Sequence, residues 1–187
     1  MEAKFITAPA YIAQNPSNPC EYITMHNQLF QDIDDSLYFV PRYFTTDGYT
    51  INNILAPVAG NKMQWDIRAA IQHDFECKYH KALKIKLSLD ELKNSGLVHL
   101  HYKTLKCETE TKIHSMITVC ENIPKQLLIE KNVTFNEANS RFKRAMAATG
   151  NISNFRVNLM RTAVNFNISW LWSKKEFDID KLYADFI

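Results

Sequence analysis

The chain has 187 residues, 46% hydrophobic and 12% aromatic, enough to bury the core of one ordinary domain and to exclude intrinsic disorder. With 22 basic and 20 acidic residues the net charge is +2, which leaves no electrostatic footprint for nucleic acid. No apolar run reaches the ~18 residues of a membrane span, the start MEAKFITAP lacks the pattern of a signal peptide, and Cys20, Cys77, Cys107 and Cys120 form no CxxC pair, so they read as reduced thiols.

Residues 1–20 hold Pro9, Pro16 and Pro19 and predict an extended arm crossing a surface. Glu21–Gln31 and Ser36–Val40 are rich in Tyr, Ile, Leu, Phe and Val and predict two strands of a hairpin. Asp32, Asp34 and Asp35 supply its turn chemistry; they lack the spacing, the glycine and the distal Glu of a calcium loop. In FVPRYFTTDGYTINN, residues 39–53, Pro41 stops the strand and Gly48 permits a bend. Asp47 and Thr50 lie on this irregular segment, where polar side chains either cap the backbone or serve a site.

A helix is predicted over 64–83, its core face marked by Ile67, Ile71 and Phe75. Asp66, His73, Cys77 and His80 fall on one stripe of it. His73, Cys77 and His80 therefore have helical ligand spacing, and zinc on this trio is weighed against a buried, hydrogen-bonded histidine. Glu76 lies on a neighbouring face, so the general base of an HExxH helix is missing. The expectation is therefore no cofactor, with zinc as the alternative.

The stretch 84–133 reads as an insertion. Ser88 and Glu91 make a capping box for a short helix ended by Gly96. Val98, Leu100, Tyr102 and Thr104 alternate with His99, His101 and Lys103, and Ile113, Ser115, Ile117 and Val119 recur with the same period. A β-hairpin over 98–120 follows. The box Thr134/Glu137 opens a second main helix that ends at Gly150, with Phe135, Ala138, Phe142 and Ala145 as its apolar stripe. Arg141, Lys143 and Arg144 on it read as a solvated face. Ser153 starts a third helix running to about Trp172, and 173–187 is a tail.

Val40-Pro41, Thr46-Asp47, Thr50-Ile51, Ala69-Ala70-Ile71 with His73-Asp74, Glu137-Ala138-Asn139, Phe142, Ala145-Met146, Gly150, Arg156 and Ala163-Val164 stand in this order. The series resembles a phage and prophage domain family of unknown function, over roughly 37–80 and 134–166. The resemblance implies that Asp47, Thr50, His73 and Asp74 gather with residue 139 in a hydrolase-like polar site. This chain departs from the pattern in having Asn139 for an Asp, Thr50 for a Ser, and Phe75-Glu76-Cys77 after the His-Asp pair. A carboxamide in place of a carboxylate removes a charge and a proton acceptor, which moves the reading away from catalysis.

These readings predict an α+β single domain: three main helices packed with a small antiparallel N-terminal β element and a β-hairpin insertion. The expected function is that of a phage-encoded structural or interaction protein, a virion component of tail, neck or baseplate made in the host cytoplasm. Its expected partners are other phage proteins, without nucleic acid or membrane insertion. Two alternatives stand beside it. One is a metal-assisted or acid-base hydrolase acting on the host envelope or another host polymer through His73, Asp74, Asp47, Thr50 and Asn139. The other is an inhibitor of a host defence protein.

Overall fold

The computed structural model describes residues 2–8, 12–46, 67–106, 112–149, 157–158 and 178. Along them run β1 (Lys4–Phe5), β2 (Ile12–Asn15), β3 (Asn18–Thr24), β4 (Gln28–Gln31), β5 (Leu37–Val40) and β6 (Thr45–Thr46). Then come α1 (Arg68–Tyr79), β7 (Lys81–Ile85), α2 (Leu89–Asn94), β8 (Val98–Lys106), β9 (Lys112–Cys120), β10 (Leu128–Asn132) and α3 (Phe135–Ala148). The main sheet is antiparallel with order β1-β4-β5-β7-β10. A second sheet has order β2-β3-β6, and β8 and β9 form a third by themselves. Helices α1 and α3 pack on each other, and the core is built from Leu29, Phe30, Phe39, Leu83 and Leu128 of the main sheet with Ile71, Phe75, Phe142 and Met146 of the helices.

This architecture overturns the expectation of three main helices with a small β element. Among the described residues sheet dominates, with ten strands against three α-helices, one of them only six residues long. The expected strand 21–31 is broken at 25–27, so that β3 and β4 enter different sheets. The predicted helix over 64–83 ends early: His80 adopts a left-handed conformation (φ 53°) as the C-cap, and the chain turns straight into β7. The expected insertion 84–133 supplies β10 and completes β7, which pair with each other as Leu128↔Ile85 through Asn132↔Lys81.

The physical reason is tertiary override of local preference. Lys81–Ile85 reads KALKI, mostly residues at home in a helix, yet Leu83 pairs with Phe39 and Lys84 with Tyr38, across more than forty residues of chain. Strands β4 and β5 are buried at every position, so they lack the period-two alternation of a half-exposed strand.

Several local readings coincide with the structure. Both capping boxes form, at Ser88/Glu91 and Thr134/Glu137. Gly96, with φ 77°, follows α2 in the left-handed region that favours glycine. Strands β8 and β9 span the expected hairpin, paired from Val98↔Cys120 to Lys106↔Lys112. Of the expected third helix only Val157 and Asn158 are described; both are helical and Val157 is buried. The tail 173–187 lies outside the described residues apart from Asp178.

Candidate functional site

Helix α1 presents Gln72, His73, Glu76 and Cys77 at spacings of three and four, so these side chains share one broad face. That face meets α3, and all four are buried. His73 is 6% exposed, its ring 4.6 Å from that of Phe142. Its Nε2 lies 2.9 Å from Asn139 Oδ1, which makes the imidazole the donor of that bond. The other ring nitrogen is 3.9 Å from Asp74 Oδ1. Asp74 accepts a hydrogen bond from the Thr46 hydroxyl, and Lys78 Nζ donates to Thr45 Oγ1 at 2.9 Å. Strand β6 is thereby tied to α1, and α1 to α3.

Beside this cluster lies a buried ionic network that the sequence reading assigned to the surface. Arg141, 3% exposed, donates from Nη1 to Glu76 Oε2 at 2.5 Å, and Glu76 is 0% exposed. Glu76 also accepts from Gln72 Nε2 at 2.7 Å. The Arg141 guanidinium stacks 3.9 Å above the Tyr38 ring. Asp32 faces Arg141 Nε at 3.6 Å and takes a two-pronged pair of bonds from Arg144 at 2.5 and 2.7 Å. Burial pushes the Glu76 carboxyl above the ordinary carboxylate value, and Arg141 opposes that only in part. Burial works against the Arg141 cation too, but Glu76 outweighs it and holds the guanidinium above its usual range. The two prongs on Asp32 raise Arg144 likewise.

The solvated-face reading of Arg141, Lys143 and Arg144 is therefore corrected: only Lys143 is exposed. Asp32 does serve the turn, accepting from Ile33 N at 2.9 Å, but it also carries this network. No periodicity marks such pairs, because Asp32, Glu76 and Arg141 are separated by dozens of residues. The one local trace was Arg141 lying three residues after the core residue Ala138.

Among the sequence-predicted residues, His73, Asp74 and Asn139 come together; Asp47, Thr50 and Asp66 lie outside the described residues. Among the described residues no three His, Cys, Asp or Glu side chains form a group able to hold a metal, and this includes His73, Cys77 and His80. His80 sits where the helix ends, so the seven-residue spacing from His73 does not continue the stripe. Cys77 Sγ is 3.4 Å from His73 Nε2, and burial, then Asp74 and Glu76, push its thiol well up. A buried thiol that holds its proton this tightly is a poor nucleophile.

A cleft of ≈ 410 Å³ opens beside the network, lined by Asp32, Asp34, Lys131, Glu137, Arg141 and Arg144 among others. Each of its cations is already paired, Arg141 with Glu76, Arg144 with Asp32 and Lys131 with Glu137. No surplus cation in it selects an anionic ligand.

The hairpin has the opposite character. Its root is fixed: Val98 and Cys120 are buried, Asn27 Nδ2 donates to Cys120 O at 3.0 Å, and Glu121 N donates to Leu97 O at 2.8 Å. Beyond the root, Leu100 is 59% and Met116 51% exposed. Leu100 pairs with Thr118, two residues from Met116, so both stand on the same face of the ribbon.

No family model, curated protein or solved structure matches the chain. No helix among the described residues is long and apolar enough to cross a membrane.

Proposed function

We propose that the chain is a phage-encoded structural protein that acts by binding other phage proteins, as a component of a virion tail, neck or baseplate. The ordered His73–Asp74 and Glu137–Ala138–Asn139 pieces, through their family resemblance, support the phage assignment. One observation carries the interaction part: a two-stranded ribbon joined by no other strand among the described residues, with Leu100 and Met116 exposed on one face. Two strands alone are marginal in water, and contiguous exposed apolar side chains mark contact surfaces.

The test leaves the root in place. Tyr102–Met116 is replaced by Asn-Gly, a two-residue turn joining His101 to Ile117, which face each other in the register. The trimmed chain is expected to fold with an unchanged unfolding midpoint and to be missing from purified particles that contain the full chain. Trimmed protein recovered in particles at the full chain's level overturns the proposal.

One observation supports the hydrolase reading: His73 lies between Asn139 and Asp74, an arrangement a carboxylate at 139 would turn into an acid-base constellation. Its burial and its contact with Phe142 favour a structural role. Hydrolysis of host-envelope polymer by the purified protein, strengthened in Asn139→Asp and lost in a folded His73→Gln, would put the hydrolase first.

A further inference from the structure

We infer that a small cavity at the root of the ribbon is a binding site for one ordered water, which joins the N-terminal arm, β3 and β4 through Thr7, Thr24 and Gln28. Such a site is independent of the function proposed above, since it concerns how the three sheets are held together.

The main sheet, the second sheet, the ribbon and α1 meet around a cavity of ≈ 30 Å³. About 10–15 Å³ is enough to hold one water, whereas organic ligands occupy pockets of about 300 Å³ or more. Size therefore admits water and excludes a substrate. Part of the wall is apolar, from Val40, Ile71 and Val119, and among the described residues no carboxylate, lysine or arginine lines it. An ion would enter without a counter-charge, and burying one that way is costly.

The polar groups of the wall are ones a water can satisfy. Gln28 is 4% exposed, and its carboxamide is fixed by the backbone of α1, where Nε2 donates to Arg68 O at 2.9 Å. A carbonyl only accepts, so the nitrogen must face it and Oε1 is the atom left over. That Oε1 has no hydrogen-bond partner among the described residues, and buried polar atoms are paired in the large majority of cases, with protein or with ordered water. The preceding residue is the contrast. Asn27 donates from Nδ2 to Cys120 O and Asn122 Oδ1, and its Oδ1 accepts from Arg42 N.

Two hydroxyls complete the set. Thr7 Oγ1 accepts from Leu29 N at 3.2 Å, and a hydroxyl has one proton of its own to give. Thr24 Oγ1 donates to Pro41 O at 3.3 Å and keeps lone pairs that can accept. One water gives its two protons to Gln28 and Thr24 and takes one from Thr7, the three bonds typical of buried water. It ties the arm to β3 and β4 beside residues 117–120 of β9, which close the cavity.

The test uses the full chain. A crystal structure is expected to show one density peak within about 3 Å of Gln28 Oε1. In solution, cross-relaxation is expected between water and the methyl groups of Val40 and Ile71, both fully buried. Folded Gln28→Met is expected to lose the peak and the cross-relaxation; if that variant folds poorly, Thr24→Val is expected to weaken both. A folded Gln28→Met that keeps them overturns the inference. So does a side chain of the protein seated on Gln28 Oε1, an anomalous peak at this position in crystals soaked with rubidium, or wild-type methyl groups that show no cross-relaxation with water.

Discussion

The α1–α3 seam and the β8–β9 ribbon invert the usual placement of polar and apolar groups. The seam buries His73, Gln72, Glu76, Asn139 and Arg141, while the ribbon leaves Leu100 and Met116 largely in solvent. In the seam the polar side chains answer one another within the fold: His73 has Asn139, Glu76 has Arg141 and Gln72, and Asp32 has Arg144. Such a set fixes two helices and a turn in one arrangement. In the ribbon, the apolar side chains have no comparable cover. A buried polar cluster whose groups are mostly paired internally, with Gln72 Oε1 and Arg141 Nε left without a hydrogen bond, has the character of a structural device, whereas the exposed apolar pair on the ribbon is the feature on which the proposed interaction rests.

The contrast is sharpest at Arg141. Arg141→Met leaves the Glu76 carboxyl in the interior without its cation, and unfolding free energy is expected to fall by about 3–5 kcal/mol in urea titrations. Adding Glu76→Leu removes the stranded group and is expected to recover most of that loss. A near-neutral single variant would mean that the seam is not held by this pair.

Next in size is His73→Gln, expected to cost about 1–3 kcal/mol because the Asn139 carboxamide loses a well-placed partner beside Phe142. The folded variant is expected to enter particles normally. Exclusion of a stable His73→Gln protein, or loss of an activity that the wild type possesses, would break the structural reading of the seam.

A third prediction concerns pH. Glu76 holds its proton more tightly in the fold than in the unfolded chain. Its contribution to stability is therefore complete below the ordinary carboxylate range and is lost as pH rises through its raised value. Glu76→Gln cannot ionise, so its stability relative to wild type is expected to improve between pH 4 and neutrality. Unfolding midpoints at the two ends of that range decide it; the opposite slope would show that Arg141 outweighs burial and holds Glu76 below the ordinary carboxylate value.

The smallest effect belongs to the ribbon. Leu100→Thr with Met116→Thr is expected to change stability by less than about 0.5 kcal/mol while, under the proposed function, excluding the chain from particles. A loss of several times that amount in thermal unfolding would mean that these side chains serve the core, and the comparison between the two regions would fail.

What could be read along the chain was what short-range physics sets. The Ser88/Glu91 and Thr134/Glu137 boxes and the left-handed glycine at 96 are built from groups three or four residues apart. The alternation across 98–120 is a property of neighbours, and the ribbon followed it. The need of a buried His73 for a partner was legible for the same reason, since Ala69, Ala70, Ile71 and Phe75 surround it in sequence. Only the tertiary structure decided that Lys81–Ile85 is a strand, because its pairing with β5 and β10 outweighs what its residues prefer alone. Only it decided that Arg141 is buried, because the groups that make burial tolerable, Glu76, Asp32 and Tyr38, come from distant segments. A charged side chain reads as solvated until its counter-charge is in place, and that placement belongs to the fold.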